Sequence, residues 1–557
     1  MTNRSDSPRL HLRYLNETFH EDGTVQRVTF NIPPRFNFAY DVVDELARTI
    51  PDKRAMLHLS DDLRERVFTF ADISRESDRT AAMLQANGIG HGDKVMLILK
   101  RHFEFWPTIL ACHKLGAVAI PATNQLAAKD ILYRFRAAEV SAIVCTVEDD
   151  VAAHVDAAAA DYDHPLVKIS VHGQPEGWLE YEAARDAAPA FVRPEVANEN
   201  DDTMLMYFTS GTSGMPKMVM HDFTYPIGHI LTAKYWQQVD GNGMHFTIAE
   251  TGWGKAVWGK LYGQWFMETA VFVYDFDRFH SDAVLTAMAK YDITTFCAPA
   301  TMYRFFIKED LSKYDLSSIR HATIAGEALN PEVFEQFRRA TGLTLYEGFG
   351  QTETTATVFN REGMIPRPGS MGRPSPAYDV DIVDENGVSV IPGITGEIVI
   401  RIPPEGKPAG LFKGYYKDDV HTAEVWRDGV YHTGDTAWRD EDGYFWFVGR
   451  VDDVIKSSGY RIGPFEVESV IMEHPAVLEC AVTPAPDPVR GQVVKATIVL
   501  AKGYAPSDEL AAEIKNYVKA HTAPYKYPRI VEFVPDLPKT ISGKIKRNEI
   551  RDRDMKK

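Results

Sequence analysis

The run Lys94-Val95-Met96-Leu97-Ile98-Leu99 decides the fold class. Five successive apolar residues are too few for a helix and lack the alternation of a half-exposed strand, so they read as a strand buried on both faces, as in a parallel sheet. Helical periodicity over residues 72–87 precedes it, and two further short runs, Ala117-Val118-Ala119-Ile120 and Ala142-Ile143-Val144, follow. Helices alternating with such strands predict an α/β fold with a mainly parallel sheet. The same texture returns between residues 220 and 345 with Ala270-Val271-Phe272-Val273, Thr294-Thr295-Phe296-Cys297 and Ala322-Thr323-Ile324, which predicts a second such sheet. From 365 to 449, turns such as Asp384-Glu385-Asn386-Gly387, Pro392-Gly393 and Asp440-Glu441-Asp442-Gly443 separate short strands and predict a small β-barrel or twisted β-unit. Beyond Arg450 the pattern changes again. Gly463-Pro464 opens a helix with Val467, Val470 and Ile471 on one face, strands follow at 478–482, 493–500 and 530–534, and Ser507 leads a helix carrying Leu510, Ile514 and Val518. A small α+β unit of ordinary domain size therefore follows a large α/β body.

Size and composition fit that plan. At 557 residues the chain exceeds one ordinary core, and 45% hydrophobic with 25% charged residues is the balance of a folded globular protein. The 61 basic against 78 acidic residues give a net charge of -17, which repels polyphosphate backbones and disfavours nucleic acid as a partner. Charge divides with the fold: residues 451–557 hold 17 basic and 15 acidic residues, so the excess of acid belongs to the body. Cys112, Cys145, Cys297 and Cys480 form no CxxC pair, which argues against a disulfide framework or a zinc knuckle. The first residues lack an apolar leader core and no run is long enough to span a membrane, so the expectation is an unprocessed cytoplasmic protein. The sequence assigns no oligomeric state.

The most specific local signal is Tyr207-Phe208-Thr209-Ser210-Gly211-Thr212-Ser213-Gly214-Met215-Pro216-Lys217. Two glycines let the backbone fold tightly and present N–H groups, the hydroxyl residues add donors and Lys217 adds a cation, which together make a phosphate cradle. It is not a Walker A loop, because Met218 stands where that loop needs a magnesium-binding hydroxyl. Gly254-Lys255-Ala256-Val257-Trp258-Gly259-Lys260 matches the Walker spacing but carries Leu261 at the hydroxyl position and bulky residues inside, so it is rejected as a nucleotide loop.

With these strings the sequence resembles the adenylate-forming, AMP-binding superfamily, which includes acyl-CoA synthetases, aryl-CoA ligases, adenylation domains of peptide synthetases and luciferases. Other strings agree in that family's order. Gly326-Glu327-Ala328-Leu329 resembles its adenine-side loop, Tyr346-Glu347-Gly348-Phe349-Gly350-Gln351-Thr352-Glu353 its aromatic and magnesium motif, and Tyr431-His432-Thr433-Gly434-Asp435 its ribose motif. Phe447-Val448-Gly449-Arg450-Val451-Asp452-Asp453 resembles its hinge, Ser458-Gly459-Tyr460-Arg461-Ile462 its thiol-tunnel loop, and Pro538-Lys539-Thr540-Ile541-Ser542-Gly543-Lys544 its lysine loop. The resemblance implies an N-terminal adenylation domain over 1–449, a hinge at 450–453 centred on Asp452, and a mobile C-terminal lid over 454–557.

It also implies roles. ATP would bind Thr209 to Lys217, Gly326, Glu327, Ala328, Glu347 to Thr352, Asp435 at the ribose hydroxyls, Arg450 and Lys544. Mg²⁺ would be held through Glu353, and Lys544, Thr352 and Glu353 would be catalytic, Lys544 bridging the carboxylate and the α-phosphate. Coenzyme A would pass Ser458, Gly459 and Tyr460 and meet Arg461 and Arg490. Glu250-Thr251-Gly252-Trp253-Gly254-Lys255, Ala298-Pro299-Ala300-Thr301-Met302-Tyr303-Arg304 and Thr522-Ala523-Pro524-Tyr525-Lys526-Tyr527-Pro528-Arg529 are most similar to medium-chain acyl-CoA synthetases, with Trp253 as wall or gate of the acyl pocket. The implied reaction joins a monocarboxylic acid, medium-chain or branched, to AMP and then to coenzyme A. Aromatic acids such as benzoate, or a carrier protein in place of coenzyme A, stay open.

Overall fold

The computed structural model describes residues 9–209, 215–327, 329–457, 460–488, 490–539 and 545–555, and the side chains of these except Tyr460, Arg461 and Met555. The fold is α/β, with a large N-terminal and a small C-terminal domain. Strand Lys94–Ile98 lies inside an eight-stranded sheet in the order Gly414–Tyr415, Lys217–Asp222, Thr203–Thr209, Val118–Pro121, Lys94–Ile98, Val140–Thr146, Val167–Val171, Leu179–Glu180. Its inner strands are parallel, and the Thr203–Thr209 and Lys217–Asp222 pair is antiparallel. Val95 and Leu97 enter one core cluster while Met96 and Ile98 enter another, so both faces of the strand are covered. That is the physical cause of the unbroken apolar run. Helix Phe70–Ala86 covers one face and starts at a capping box in which the Thr69 side chain accepts from the Asp72 N–H and the Asp72 side chain accepts from the Thr69 N–H.

The second sheet runs Glu65–Thr69, Arg54–Ser60, Ala270–Asp275, Met244–Thr247, Thr295–Ala298, His321–Ile324, Leu345–Phe349. The strands of the expected β-unit, Ser370–Pro374, Phe445–Arg450, Val430–Arg439, Gly396–Arg401 and Asp379–Val383, hydrogen-bond onto this sheet through Val358–Phe359. The β-unit and the second sheet thus share one continuous ladder, and residues of the two are held in fixed register.

The C-terminal domain is built on an antiparallel core of Val477–Asp487 against Gly491–Leu500, with Ile455–Ser457, Tyr460–Ile462 and Ile530–Phe533 beside it. Helix Pro464–Ile471 has proline in its first turn, and Ser507 caps Asp508–His521 by accepting from the Leu510 N–H. Leu510, Ile514 and Val518 are buried against Val467 and Ile471 in the domain's own core. Contacts that join it to the body include the Asn330 amide donating to the Ser469 carbonyl at 3.1 Å, Gly463 packed on Val448, and the Phe447 and Phe465 rings 6.4 Å apart.

Candidate functional site

Strand pairing places the first group of residues. Thr209 is directly opposite Lys217 across the hairpin, so the phosphate-cradle segment is the connection between two sheet strands, and Lys217 extends it as a strand residue, not as the first turn of a helix. Ser210, Gly211, Thr212, Ser213 and Gly214 lie outside the described residues. Met215 is exposed, and the Pro216 carbonyl accepts from the Tyr133 hydroxyl at 3.1 Å. The Lys217 ammonium sits 4.9 Å above the Tyr415 ring, and the Tyr415 hydroxyl donates to Glu353 Oε1 at 3.0 Å. One tyrosine on the neighbouring edge strand therefore links the cation and the carboxylate. Burial holds the Glu353 carboxyl above its ordinary range, while Arg450 and Lys217 pull it back.

The shared ladder supplies the second group. Asp435 and Arg450 are register partners on adjacent antiparallel strands, and Arg450 Nη1 lies 3.7 Å from Asp435 Oδ1. Gly434 has φ +69°, a backbone region that suits glycine, and it turns the strand so that the buried Asp435 faces Gln351. Gln351 donates to Asp435 Oδ2 at 2.5 Å and to the Thr433 carbonyl at 2.8 Å, and accepts from the Tyr431 hydroxyl at 2.7 Å. Gly350 lies so close to its neighbours that a Cβ there would stand 2.3 Å from the Thr355 carbonyl oxygen and 2.4 Å from the Trp258 ring, which excludes larger residues. Phe349 faces Phe447, and Gly348 packs on Trp236. Glu347 is 5% exposed, and burial pushes its carboxyl up to about 8, so it is largely protonated at pH 7.

Thr352 is anchored by a residue that motif reading passed over. His221, at the end of the Lys217–Asp222 strand, donates from Nε2 to the Thr352 carbonyl at 2.8 Å, and burial holds its pKa down to about 3. Its only sequence signal is a lone histidine after a strand, which carries no chemistry by itself. The adenine-side loop is tied to the acyl-side strings. Glu327 Oε2 accepts from Thr301 Oγ1 at 2.8 Å and faces Arg304 Nη2 at 3.4 Å, and Lys255 Nζ donates to the Ala325 carbonyl beside Gly326. Ala328 lies outside the described residues. Trp253 immediately precedes helix Gly254–Gly259 and is partly exposed, whereas Trp258 is buried beside Trp236 and His229. The rejected Walker-like segment is this helix.

In the C-terminal domain Ser458, Gly459 and Lys544 lie outside the described residues, as do the side chains of Tyr460 and Arg461. Lys539 and Ile545 form a bridge on either side of the Lys544 segment, and Lys539 Nζ pairs with Glu479 at 2.8 Å. Arg490 is exposed at the tip of the Val477–Asp487 and Gly491–Leu500 hairpin, its N–H bonded to Asp487 Oδ1 at 2.8 Å. Asp452 sits in a turn just after Arg450, 3.8 Å from the guanidinium. Arg551, on the last helix Arg547–Met555, donates to the Asp452 carbonyl at 2.9 Å and pairs with Asp453 at 3.3 Å, a link between distant segments that no local motif announces.

These groups, a cation and a carboxylate meeting at Tyr415 and an Asp–Arg pair wired to Gln351, suit a nucleotide and a second anion. The chain belongs to the AMP-binding enzyme family, whose model matches residues 43–416, and the AMP-binding enzyme C-terminal domain matches residues 466–544. Among its relatives, the Mus musculus mitochondrial acyl-coenzyme A synthetase ACSM3 is 43% identical over 541 residues, 95% of this chain and 92% of the relative. The Homo sapiens mitochondrial acyl-coenzyme A synthetase ACSM4 is 42% identical over 96% of this chain and 93% of its own length. Among solved structures, the anthranilate CoA ligase AuaEII in complex with anthranoyl-AMP matches with TM-score 0.84 and 28% identity, covering 94% of this chain and 98% of that one. A Brucella canis acyl-CoA synthetase matches with TM-score 0.71 and 32% identity over 94% and 96% of the two chains.

Both curated relatives are named mitochondrial, which overturns the cytoplasmic expectation. That expectation tested for an apolar leader core, and mitochondrial targeting segments are amphipathic and rich in Arg and Ser, with no such core. The four cysteines are free and buried, which suits any reducing compartment. Among the described residues no helix is long and apolar enough to cross a membrane.

Proposed function

We propose that this chain is an AMP-forming acyl-CoA synthetase for a monocarboxylic acid of medium-chain or branched-chain type. The carboxylate attacks the α-phosphorus of ATP, giving acyl-AMP and pyrophosphate; the thiol of coenzyme A then attacks the acyl carbon, giving the thioester and releasing AMP. The observation that carries this reading is the convergence of Lys217, Tyr415 and Glu353 on one side and Gln351, Asp435 and Arg450 on the other, within a chain similar along its length to acyl-coenzyme A synthetases.

Two anions must meet for the first step, so the site has to offset phosphate charge while holding the carboxylate in line. Lys217 and the backbone of the cradle would take the β- and γ-phosphates, Asp435 would accept from the ribose hydroxyls, and Arg450 would donate to the ribose or α-phosphate. Glu353 fits a Mg²⁺ ligand: its Oε1 is held by Tyr415, and burial makes an uncompensated carboxylate there costly, which a cation relieves. Mg²⁺ held there would neutralise charge on the leaving pyrophosphate. Thr352, fixed through its carbonyl by His221, would face the substrate carboxylate, and Lys544 would bridge it to the α-phosphate.

For the second step the domain 454–557 would rotate about residues 450–453, withdrawing Lys544 and bringing Ser458, Gly459 and Tyr460 to the site, where glycine leaves room for the pantetheine arm. Arg461 and Arg490 would then meet the phosphates of coenzyme A. Trp253, partly exposed at a helix start, would gate the acyl pocket. A coenzyme A dependent AMP-release assay over straight, branched and aromatic acids tests the reading. Highest kcat/KM on aliphatic acids supports it; preference for benzoate-like acids, or turnover without coenzyme A dependence, sinks it.

A further inference from the structure

A second constellation of titratable side chains stands apart from every role assigned above. The carboxyl ends of three parallel strands, Lys94–Ile98, Val140–Thr146 and Val167–Val171, lead into Lys100, His102 and Glu104, into Glu148, and into His172. Asp275 closes strand Ala270–Asp275 of the other sheet and faces them. Such strand ends are where open α/β sheets hold ligands.

The geometry is specific. Glu148 bridges two imidazoles that touch each other, their centroids 4.1 Å apart, with His172 Nδ1 at 3.1 Å from Oε1 and His102 Nε2 at 3.6 Å from Oε2. The other nitrogen of each ring faces a buried carboxylate. His102 Nδ1 lies 2.6 Å from Asp275 Oδ2, and His172 Nε2 lies 3.6 Å from Glu104 Oε1. The Glu104 side chain is 4% exposed, and its Oε2 has no hydrogen-bond partner among the described residues.

We propose that His102, Glu148 and His172 form a binding site for a divalent transition ion of the zinc class. Tetrahedral zinc with bonds of about 2.0–2.1 Å keeps neighbouring ligand atoms about 3.3 Å apart, near the 3.1 Å from His172 Nδ1 to Glu148 Oε1 and the 3.6 Å from His102 Nε2 to the other oxygen, Oε2. Histidines that ligate metals donate their second N–H to a carboxylate, which fixes the tautomer and aims the lone pair; Asp275 and Glu104 stand where they would do this. Two imidazoles with one carboxylate select zinc-like ions over the hard cations that prefer all-oxygen sites. They also leave a fourth position open.

Charge points the same way. Lys100 Nζ pairs with Asp277 at 2.5 Å, with Asp149 at 3.4 Å and with Glu148 Oε2 at 2.7 Å, so its single charge is shared among three carboxylates. The Thr146 hydroxyl lies 3.1 Å from His102 Nε2 and accepts from the Glu148 N–H at 3.1 Å, and His58 stands behind Asp275 at 3.6 Å. Lys100, Asp149 and His172 all hold positive φ, a cost that native proteins concentrate at functional sites.

The test is zinc binding by tag-free full-length protein that has been stripped with a chelator, loaded with Zn²⁺ and desalted. Elemental analysis should find one zinc per chain, and chelator competition should show at least about a tenfold loss of affinity in Glu148→Gln and in His172→Asn. Asparagine tolerates the positive φ at 172, so that variant keeps the backbone. Co²⁺ loading gives an independent readout, a visible absorption band present in the parent and lost in His172→Asn. No retained zinc in the parent, or equal retention and the same cobalt band in both variants, overturns the proposal.

Discussion

The nucleotide side of the body and the C-terminal domain both carry proposed site residues, yet the described ones are positioned by different means. In the body, Asp435 meets Arg450 through strand register, Gln351 is held by three hydrogen bonds, and Glu353 and Lys217 share Tyr415. These groups are held by the fold itself, which is what preorganised electrostatic catalysis of the proposed reaction needs. In the C-terminal domain, Arg490 sits exposed on a hairpin tip, and Lys539 bridges Ile545. On the proposed two-step mechanism, residues that serve one step and leave for the next gain from a separate core, since their placement is then set by the domain's orientation.

Four experiments bear on that contrast. Lys544→Ala should lower acyl-adenylate formation by about 10²–10³-fold while conversion of supplied acyl-AMP to thioester stays near the parent rate. Equal loss in both half-reactions, measured by pyrophosphate exchange and thioester formation, would make Lys544 a fixed member of the site. Asp452→Pro restricts φ in the turn between the domains and should slow one half-reaction on the order of 10²-fold more than the other. Normal turnover in both would remove 450–453 as the pivot.

The third probes burial in the body. Glu347 has a folded pKa near 8 against an ordinary value of 4.5, so the folded protein binds more protons than the unfolded chain between those values. Its contribution is fully present below about pH 4.5 and is lost as pH rises toward 8. Glu347→Gln should therefore gain about 2 kcal/mol on the parent between pH 6 and pH 7.5, read from denaturant melts at both values. Parallel stability profiles would mean the carboxyl is ionised in the fold. The smallest effect is expected at the hairpin tip: Arg490→Ala should raise KM for coenzyme A about tenfold with kcat for adenylation unchanged, the loss of one charge-assisted contact. An unchanged KM would take Arg490 out of coenzyme A binding.

Much of this organisation is legible in the amino-acid chain itself. Continuous apolar runs announce strands covered on both faces, Ser507 and Gly463-Pro464 announce helix starts, and glycine-rich strings announce backbone that must approach a phosphate or a neighbour closely. These are local properties, written within a few residues. His221, Tyr415 and Arg551 are not legible in that way, because each acts on a partner more than 60 residues away and nothing in its own neighbourhood marks it. The His102, Glu148 and His172 cluster is the same case at larger scale.

By itself, then, the sequence determined the α/β class, the division into a large body and a small second domain, and the ordered motifs that resemble an adenylate-forming enzyme. The tertiary structure alone decided that the β-unit continues the second sheet, that Asp435 faces both Arg450 and Gln351, and that three strand ends of one sheet gather histidines and carboxylates against Asp275 of the other. Local propensity acts over a few residues, whereas register and sheet packing join residues whose separation along the chain has no bearing on their distance in space.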